Sequence, residues 1–282
     1  MGTNLMTRML GFIKQRLKKT IRSLKLVLLN VGFDPGRLHL RALRHYPKYH
    51  IQYKQFKKLG GVITHSFPII SDYDAQAGTA NGHYFHQDLL VASFIHGNNP
   101  VRHIDIGSRI DGFVAHVASF RKIEVIDVRD LSCTGHQNIS FVKVDMMNSD
   151  NAQSGITDSI SCLHAIEHFG LGRYGDTLDP DGHRKGFDNI VRMLKKGGRL
   201  YISFPIGKSN EIHFNAHRVF HPRDIFTWEE SGGSLQLERF DYVDDAGSLH
   251  QNIDIRNVNP NVSHGCGIYT FSKNSGSSSN SL

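Results

Sequence analysis

Four apolar segments predict β-strands, and each segment ends at a glycine, an aspartate or a proline. The segments with their terminal residues are 101–106 with Gly107, 123–126 with Asp127, 141–144 with Asp145, and 199–204 with Pro205. Asp127 follows Gly107 by twenty residues. In open α/β sheets, a strand–glycine turn lets the backbone approach a nucleotide, and an acid ending the next strand accepts hydrogen bonds from the ribose. The pattern therefore predicts a nucleotide-type cofactor site.

The spacing of strands and helices predicts the fold class. Strand patterns alternate with helical patterns between residues 101 and 205, which indicates parallel βαβ units. The helices are predicted at 84–95, 111–120, 187–196 (closed by Gly197 and Gly198) and from Pro222 to Gly232. Segments 235–243 and 266–272 are predicted to pair antiparallel at the sheet edge. We expect an α/β, Rossmann-like sheet, mostly parallel with an antiparallel edge pair.

Positive charge is concentrated at the start of the chain. Residues 1–58 hold 14 Lys/Arg and one acid, Asp34, whereas the remainder holds 19 Lys/Arg and 25 Asp/Glu. This asymmetry indicates a basic extension on a mildly acidic body, so nucleic acid is not the expected partner. Residues 6–29 form an apolar stripe among seven cations, which predicts a helix lying on an anionic membrane surface. Packing on the acidic body, a partner-binding helix and an organellar presequence are the alternatives.

Four segments make up the predicted domain organisation. They are a basic helical extension (1–58), a lead-in segment (59–98), the Rossmann-like domain (99–275) and a disordered tail (276–282). The sequence contains no apolar run long enough to span a bilayer. Its three cysteines are scattered, which suits a reducing compartment. We therefore expect a cytoplasmic protein, peripheral on the inner face of the membrane; the oligomeric state is not predicted.

The turn after the first strand separates two classes of cofactor. Gly107-Ser108-Arg109-Ile110-Asp111-Gly112 does not match the G-x-G-x-x-G of nicotinamide enzymes. It resembles the looser D-x-G-x-G-x-G turn of class I S-adenosylmethionine methyltransferases, and residues 194–200 resemble their "L-K-P-G-G-x-L" segment. This resemblance implies S-adenosylmethionine as cofactor, held by Asp105, Gly107, Ser108, Arg109, Asp127 and Asp145. Arg109 stands where that family has glycine, so it would either clamp the methionine carboxylate or block the cofactor.

A closer resemblance covers residues 82–222. Its strings are Gly82–Asp88, Asp105–Phe113, Leu163–Asp176 and Phe214–Phe220. They resemble the bacterial "domain of unknown function 268" family, in which Arg109 would be a regular feature. The family is linked to surface-polysaccharide gene clusters and has no settled activity. The resemblance therefore implies fold and context more than chemistry.

The segment after the fourth predicted strand carries the reactive side chains. His164, Glu167 and His168 stand at i, i+3 and i+4, and they converge if the segment turns into a helix. Two imidazoles and a carboxylate suit a divalent transition metal, with His213 or His217 as a further ligand. Without metal, His164 or His168 serves as a general base. The third interpretation is that these histidines are structural.

Three further residues are candidates for substrate contacts. Arg173 lies in the glycine-rich segment 170–176, which is either a loop binding a phosphate or carboxylate or a tight turn. Tyr84 and His86 open a predicted helix, where they either cap the ligand or belong to the core. The leading hypothesis is an O-methyltransferase acting on a glycan, lipid-linked glycan or nucleotide-sugar intermediate. The alternatives are a metal-dependent, non-methylating enzyme on the same fold and a non-catalytic, membrane-docked partner of a polysaccharide assembly complex.

Overall fold

The computed structural model describes residues 40–132, 135–228, 233–259 and 261–274, together with Thr20. The chain divides into two compact units, Met1–Thr79 and Ala80–Leu282. Apart from Thr20, the helix predicted over 6–29 lies outside the described residues, as does the predicted tail 276–282. None of the described helices is long and apolar enough to cross a membrane.

In the first unit, the described residues form short helical elements. A 3₁₀ turn, Leu40–His45, leads into α1, Tyr46–Lys58, and a second turn follows at Ser71–Asp74. A proline near the start of α1 is compatible with helix, because the first-turn N–H groups have no intrahelical acceptor. The Asp74 carboxylate contacts Arg44 at 2.8 Å and His45 at 2.7 Å. These contacts connect the two turns.

An eight-stranded sheet organises the second unit. Its strands, with the small pair β6 and β7, are β1 His103–Ile106, β2 Ile123–Asp127, β3 Ile139–Lys143, β4 Thr157–Leu163, β5 Leu194–Ile206, β6 Glu211–His213, β7 His217–Val219, β8 Leu235–Val243, β9 Leu249–His250 and β10 Gly265–Lys273. The order is β3-β2-β1-β4-β5-β10-β8-β9. Neighbours among β1 to β5 are parallel, whereas β10 is antiparallel to both β5 and β8. The predicted mostly parallel sheet with an antiparallel edge pair is confirmed.

Apolar clusters cover both faces of this sheet. Tyr201 belongs to one cluster and Ile202 to the other, because successive side chains of a strand point to opposite faces. The first cluster includes α2, His83–Asn98, and α3, Ala115–Ala118. The second includes α4, Gly182–Met193, and the buried Trp228. The parallel strands are therefore covered by helices on both sides, as in doubly wound sheets.

Several predicted helix boundaries are wrong. The helix expected over 187–196 is α4, which ends at Met193 because Leu194 already pairs with Thr157 of β4. The helix expected from Pro222 is a single 3₁₀ turn, Asp224–Thr227; residues 229–232 lie outside the described part. At the 3₁₀ turn, the indole N–H of buried Trp228 donates a hydrogen bond to the Asp224 carboxylate at 2.8 Å, which holds this part of the chain against the core. The helix expected over 111–120 is regular only in α3, after a distorted turn at Gly112.

The strand order reverses around β1, which lies between β2 and β4. In open α/β sheets such a reversal opens a crevice at the carboxyl ends of the strands, where ligands bind. Gly107 follows β1, Asp127 ends β2, Asp145 follows β3 and His164 follows β4. The fold therefore brings the four predicted strand ends to one edge.

Candidate active site

The turn after β1 is held by a buried carboxylate. Asp105 accepts hydrogen bonds from the Ser108 backbone N–H (3.0 Å), the Ser108 hydroxyl (2.7 Å) and the Ser161 hydroxyl (2.5 Å). Burial raises the pKa of Asp105 to about 6, although Ser108 and Ser161 oppose the shift. The side chains of Asp105 and Ser108, both predicted to bind the cofactor, therefore brace the turn.

Gly107 is required by the local geometry. Its φ of +70° lies in the left-handed region, and an added Cβ would come within 2.9 Å of the Ala165 Cβ. Any larger residue would strain the backbone and push against the segment that carries His164. The glycine thus leaves the end of β1 accessible to a ligand.

Beyond this turn lies a pocket, here called the inner pocket. Its lining residues are Ile106, Gly107, Asp127, Val128, Arg129, Val144, Asp145, Met146, Met147, His164, Ala165, His168, Phe169, Tyr174 and Asp176. Its walls are mostly apolar, and its polar groups come from the end of β2, from the segments that follow β2, β3 and β4, and from Tyr174 and Asp176 in the glycine-rich segment 170–176. The structure therefore brings together predicted cofactor residues Gly107, Asp127 and Asp145 with the predicted reactive residues His164 and His168.

Arg129 is a site residue that the sequence reasoning missed. Its guanidinium donates to both Asp127 carboxylate oxygens, at 2.9 and 2.5 Å, and its backbone N–H donates at 2.8 Å. The guanidinium also lies 4.5 Å from the ring centroid of Tyr174. The carboxylate predicted to meet a ribose is therefore already paired. The signal was present, since an arginine two residues after a strand-terminal acid can fold back onto it.

His164, Glu167 and His168 converge, although through a tighter turn than predicted. Ile166–His168 is one 3₁₀ turn, and His164 has a φ of +50°. His164 Nδ1 lies 2.8 Å from Glu167 Oε1, and His168 Nε2 lies 3.7 Å from the same oxygen. Burial alone would raise the pKa of Glu167, but His164 lowers it overall.

The protonation of His168 follows from its partner. Its Nδ1 lies 2.6 Å from the Ala216 carbonyl oxygen, which can only accept a hydrogen bond, so Nδ1 carries the proton. Burial lowers the pKa of His168. At neutral pH the ring is therefore neutral, and its Nε2 is free to accept a proton.

A second cavity of about 900 Å³, here called the outer pocket, adjoins the first. Its lining residues are His83, Tyr84, Gly107, Arg109, Arg129, His164, Glu167, His168, Arg173, Tyr174, Pro205, His217 and His264. Arg109 pairs with Asp111 at 2.9 Å, so it lines the outer pocket and leaves the inner one open. Arg173 donates to the Ala216 carbonyl at 3.0 Å. Arg109, Arg129 and Arg173 line this pocket, and the one carboxylate among its described lining residues is the buried Glu167.

The outer-pocket histidines differ in charge from these arginines. Burial lowers the pKa of His83 and of His217 to about 4, and it also lowers that of His264. These rings are neutral at pH 7. Burial opposes protonation of His164 too, but the adjacent Cys266 and Glu167 raise its pKa overall. The fixed positive charge of the pocket thus comes mainly from its arginines.

Besides Asp105 and Ser108, which brace the turn after β1, two predicted site residues lie apart from both pocket linings. His86 packs against Phe85, with ring centroids 5.2 Å apart. His213, on β6, pairs with Glu211 at 2.9 Å and contacts the His217 ring at 5.0 Å. His83 and His264 were missed, because no local spacing connects them. His83 nevertheless belongs to one of the strings that carried the family resemblance.

One family model matches the chain, over residues 114–225. Its description is "Caenorhabditis protein of unknown function, DUF268". The matched region covers less than half of the chain and carries no assigned activity. The family model that matches is thus the one the resemblance predicted, while "bacterial" in that prediction has no support. A search of curated proteins finds no match.

Solved structures resemble the chain at low sequence identity. The [4+2]-cyclase SpnF aligns with a TM-score of 0.50 at 13% identity, over 80% of this chain and 94% of that one. A putative sarcosine dimethylglycine methyltransferase from Galdieria sulphuraria aligns at 0.48 and 13%, over 79% and 98%. The N-methyltransferase NodS from Bradyrhizobium japonicum, in complex with S-adenosyl-L-homocysteine, aligns at 0.47 and 14%, over 68% and 88%.

The fold is the Rossmann-like class I methyltransferase fold. The predicted fold class is therefore confirmed. At such low identities the likeness concerns the fold alone, and activity has to be argued from the site.

Proposed function

We propose that the protein is an S-adenosylmethionine-dependent O-methyltransferase acting on a glycan or nucleotide-sugar intermediate. The observation that carries the proposal is the inner pocket, which joins Gly107, Asp127 and Asp145 to His164 and His168. The glycine leaves room for close approach, and the carboxylates supply hydrogen-bond acceptors for an adenosine.

The residues around the pocket can support methyl transfer to a hydroxyl group. Bound S-adenosylmethionine supplies an electrophilic methyl group. His168 is the general base in this proposal, because its neutral Nε2 accepts a proton while Nδ1 is held by the Ala216 carbonyl. Glu167, 3.7 Å from that Nε2, stabilises the imidazolium that forms. General-base catalysis of this kind contributes about 10²–10⁴-fold.

The outer pocket favours an acceptor with negative charge. Arg109, Arg129 and Arg173 line it, and the one acidic side chain among its described lining residues is buried against His164. Arg109 and Arg129 already pair with Asp111 and Asp127, so Arg173, which donates to the Ala216 carbonyl, supplies the guanidinium that has no carboxylate partner among the described residues. Guanidinium groups bind phosphate and carboxylate oxygens through paired hydrogen bonds. A nucleotide-sugar or a phosphorylated glycan intermediate meets this requirement.

Binding of S-adenosylhomocysteine, measured by calorimetry, tests the cofactor part of the proposal. Asp127→Asn should lose about 1–3 kcal/mol of binding free energy, as expected for weakening a charge-assisted hydrogen bond. Asp150→Asn is the matched control, because Asp150 is exposed and lies on a separate turn. Equal affinity in the parent and Asp127→Asn would contradict the assignment. Methyl transfer to nucleotide sugars then tests the reaction.

A second candidate is a non-methylating enzyme on the same fold. The observation that favours it is the pairing of Asp127 with Arg129, which occupies the carboxylate needed for the ribose. The solved structure that aligns at a TM-score of 0.50 is itself described as a cyclase. Absence of S-adenosylhomocysteine binding in a folded parent protein would favour this candidate.

A further inference from the structure

We propose that His83, His164 and Cys266 bind a divalent transition-metal ion of the zinc class, with Glu167 orienting His164. The three residues come from α2, the turn after β4, and β10. One potential ligand atom from each lies within 4.8 Å of the other two. The set differs from the ligands suggested by local spacing, because it replaces Glu167, His168 and His213 with residues distant in sequence.

The ligand chemistry suits zinc. Imidazole nitrogens and a cysteine thiolate are its usual protein ligands, whereas magnesium and calcium prefer oxygen. With Zn–N bonds near 2.1 Å and Zn–S bonds near 2.3 Å, tetrahedral ligand atoms lie about 3.3–3.7 Å apart. The three atoms therefore have to close by at most about 1.5 Å when the ion binds. Three protein ligands with one open position are typical of catalytic zinc sites.

The second observation is the environment of His164 Nε2. This nitrogen is buried and makes no hydrogen bond to a nitrogen or oxygen atom of the described residues, so the Cys266 thiol is the polar group beside it, whereas Nδ1 lies 2.8 Å from Glu167 Oε1. A metal ion between the two would bind both the nitrogen and the sulfur. A carboxylate holding one imidazole nitrogen while the other faces outward is the arrangement that orients histidine ligands in metal sites. Glu167 fulfils that positioning role here.

Charge and access are also consistent with a metal ion. A divalent cation would be neutralised by the Cys266 thiolate and the Glu167 carboxylate, both buried. Binding releases the thiol proton of Cys266 to solvent, so affinity should rise with pH. His83 is half-buried and lines the outer pocket with His164, which provides an entry route. Cys266 then forms the inner end of the site.

If the proposed methyltransferase function holds, the fourth coordination position of the metal ion can bind the acceptor. An acceptor hydroxyl bound there would have its pKa lowered, and the adjacent His168 would receive its proton. This role depends on the proposed function, but the metal site itself does not. Metal binding and S-adenosylhomocysteine binding can therefore be tested separately.

Cobalt titration of the chelator-treated, full-length protein tests the site. We expect one equivalent of Co²⁺ to bind, with a thiolate-to-cobalt charge-transfer band, and Zn²⁺ to displace it. Cys266→Ser should abolish the band, and His83→Ala should reduce cobalt affinity at least tenfold. Glu167→Gln should reduce it about 10–100-fold, as expected for a residue supporting a metal ligand. The matched controls Cys162→Ser and His96→Ala should retain both band and affinity.

The outcomes separate the two proposals. No cobalt binding by a parent that binds S-adenosylhomocysteine would overturn the metal site and leave the proposed function standing. Cobalt binding by a parent that does not bind S-adenosylhomocysteine would support the metal site and overturn the cofactor part of the proposed function. A charge-transfer band that persists in Cys266→Ser, or is lost equally in Cys162→Ser, would also overturn the metal site. A circular-dichroism spectrum of His83→Ala that matches the parent shows that loss of cobalt is not a folding defect.

Discussion

Replacing Arg129 with alanine should strengthen S-adenosylhomocysteine binding. Arg129 makes two side-chain hydrogen bonds to Asp127, and a ribose can use this carboxylate fully only after the guanidinium moves away. The Arg129 side chain is 46% exposed and that of Asp127 is 10% exposed, so the ion pair is partly screened. Partly exposed pairs contribute about 0.2–1 kcal/mol. Removing this competition should tighten binding about 1.4–5-fold, because 1.4 kcal/mol corresponds to tenfold.

Calorimetry with the parent and two variants checks this prediction. Arg256→Ala is the control, since Arg256 also pairs with an aspartate two residues away, Asp254, but outside both pockets. It should leave the dissociation constant unchanged. Tighter binding should appear only in Arg129→Ala. Weaker binding in that variant would refute the reasoning and show that Arg129 contacts the ligand instead of competing with it.

Three further predictions concern catalysis, stability and localisation. His168→Gln should lower methyl transfer about 10²–10⁴-fold with unchanged S-adenosylhomocysteine affinity; an equal loss of both would argue against a base. Burial lowers the pKa of His103 to about 3 from 6.5, so the stability that its neutral ring contributes is complete above pH 6.5 and is lost as the pH falls towards 3. At about 1.4 kcal/mol per pH unit, urea unfolding of the parent should lose about 3 kcal/mol more than His103→Gln between pH 6.5 and 4, and parallel pH profiles would contradict this. Deleting residues 1–30 should reduce flotation with anionic liposomes in low salt, since each cation near such a surface contributes about 1 kcal/mol. Equal recovery of both proteins would exclude the membrane role for that segment.

The strands were predictable because their signal is local. Buried parallel strands appear as short apolar runs, and β2 occurs where such a run predicted it. The position of the site was predictable as well, since carboxyl ends of parallel strands meet at one edge. Helix ends were less predictable. Leu194 pairs with β4 instead of continuing α4, and a pairing partner far along the chain leaves no trace in the helical pattern.

The sequence by itself determined the sheet and the candidates His164, Glu167 and His168, because neighbours along the chain remain neighbours in any compact turn. Only the tertiary structure decided which nitrogen of His168 is free, since the Ala216 carbonyl arrives from 48 residues away. It also decided that His83 and Cys266 meet His164. Sheet pairing places β10 beside β5, and α2 packs in the apolar cluster on that face. Contacts between such distant residues depend on packing of the whole sheet, which residue spacing does not encode.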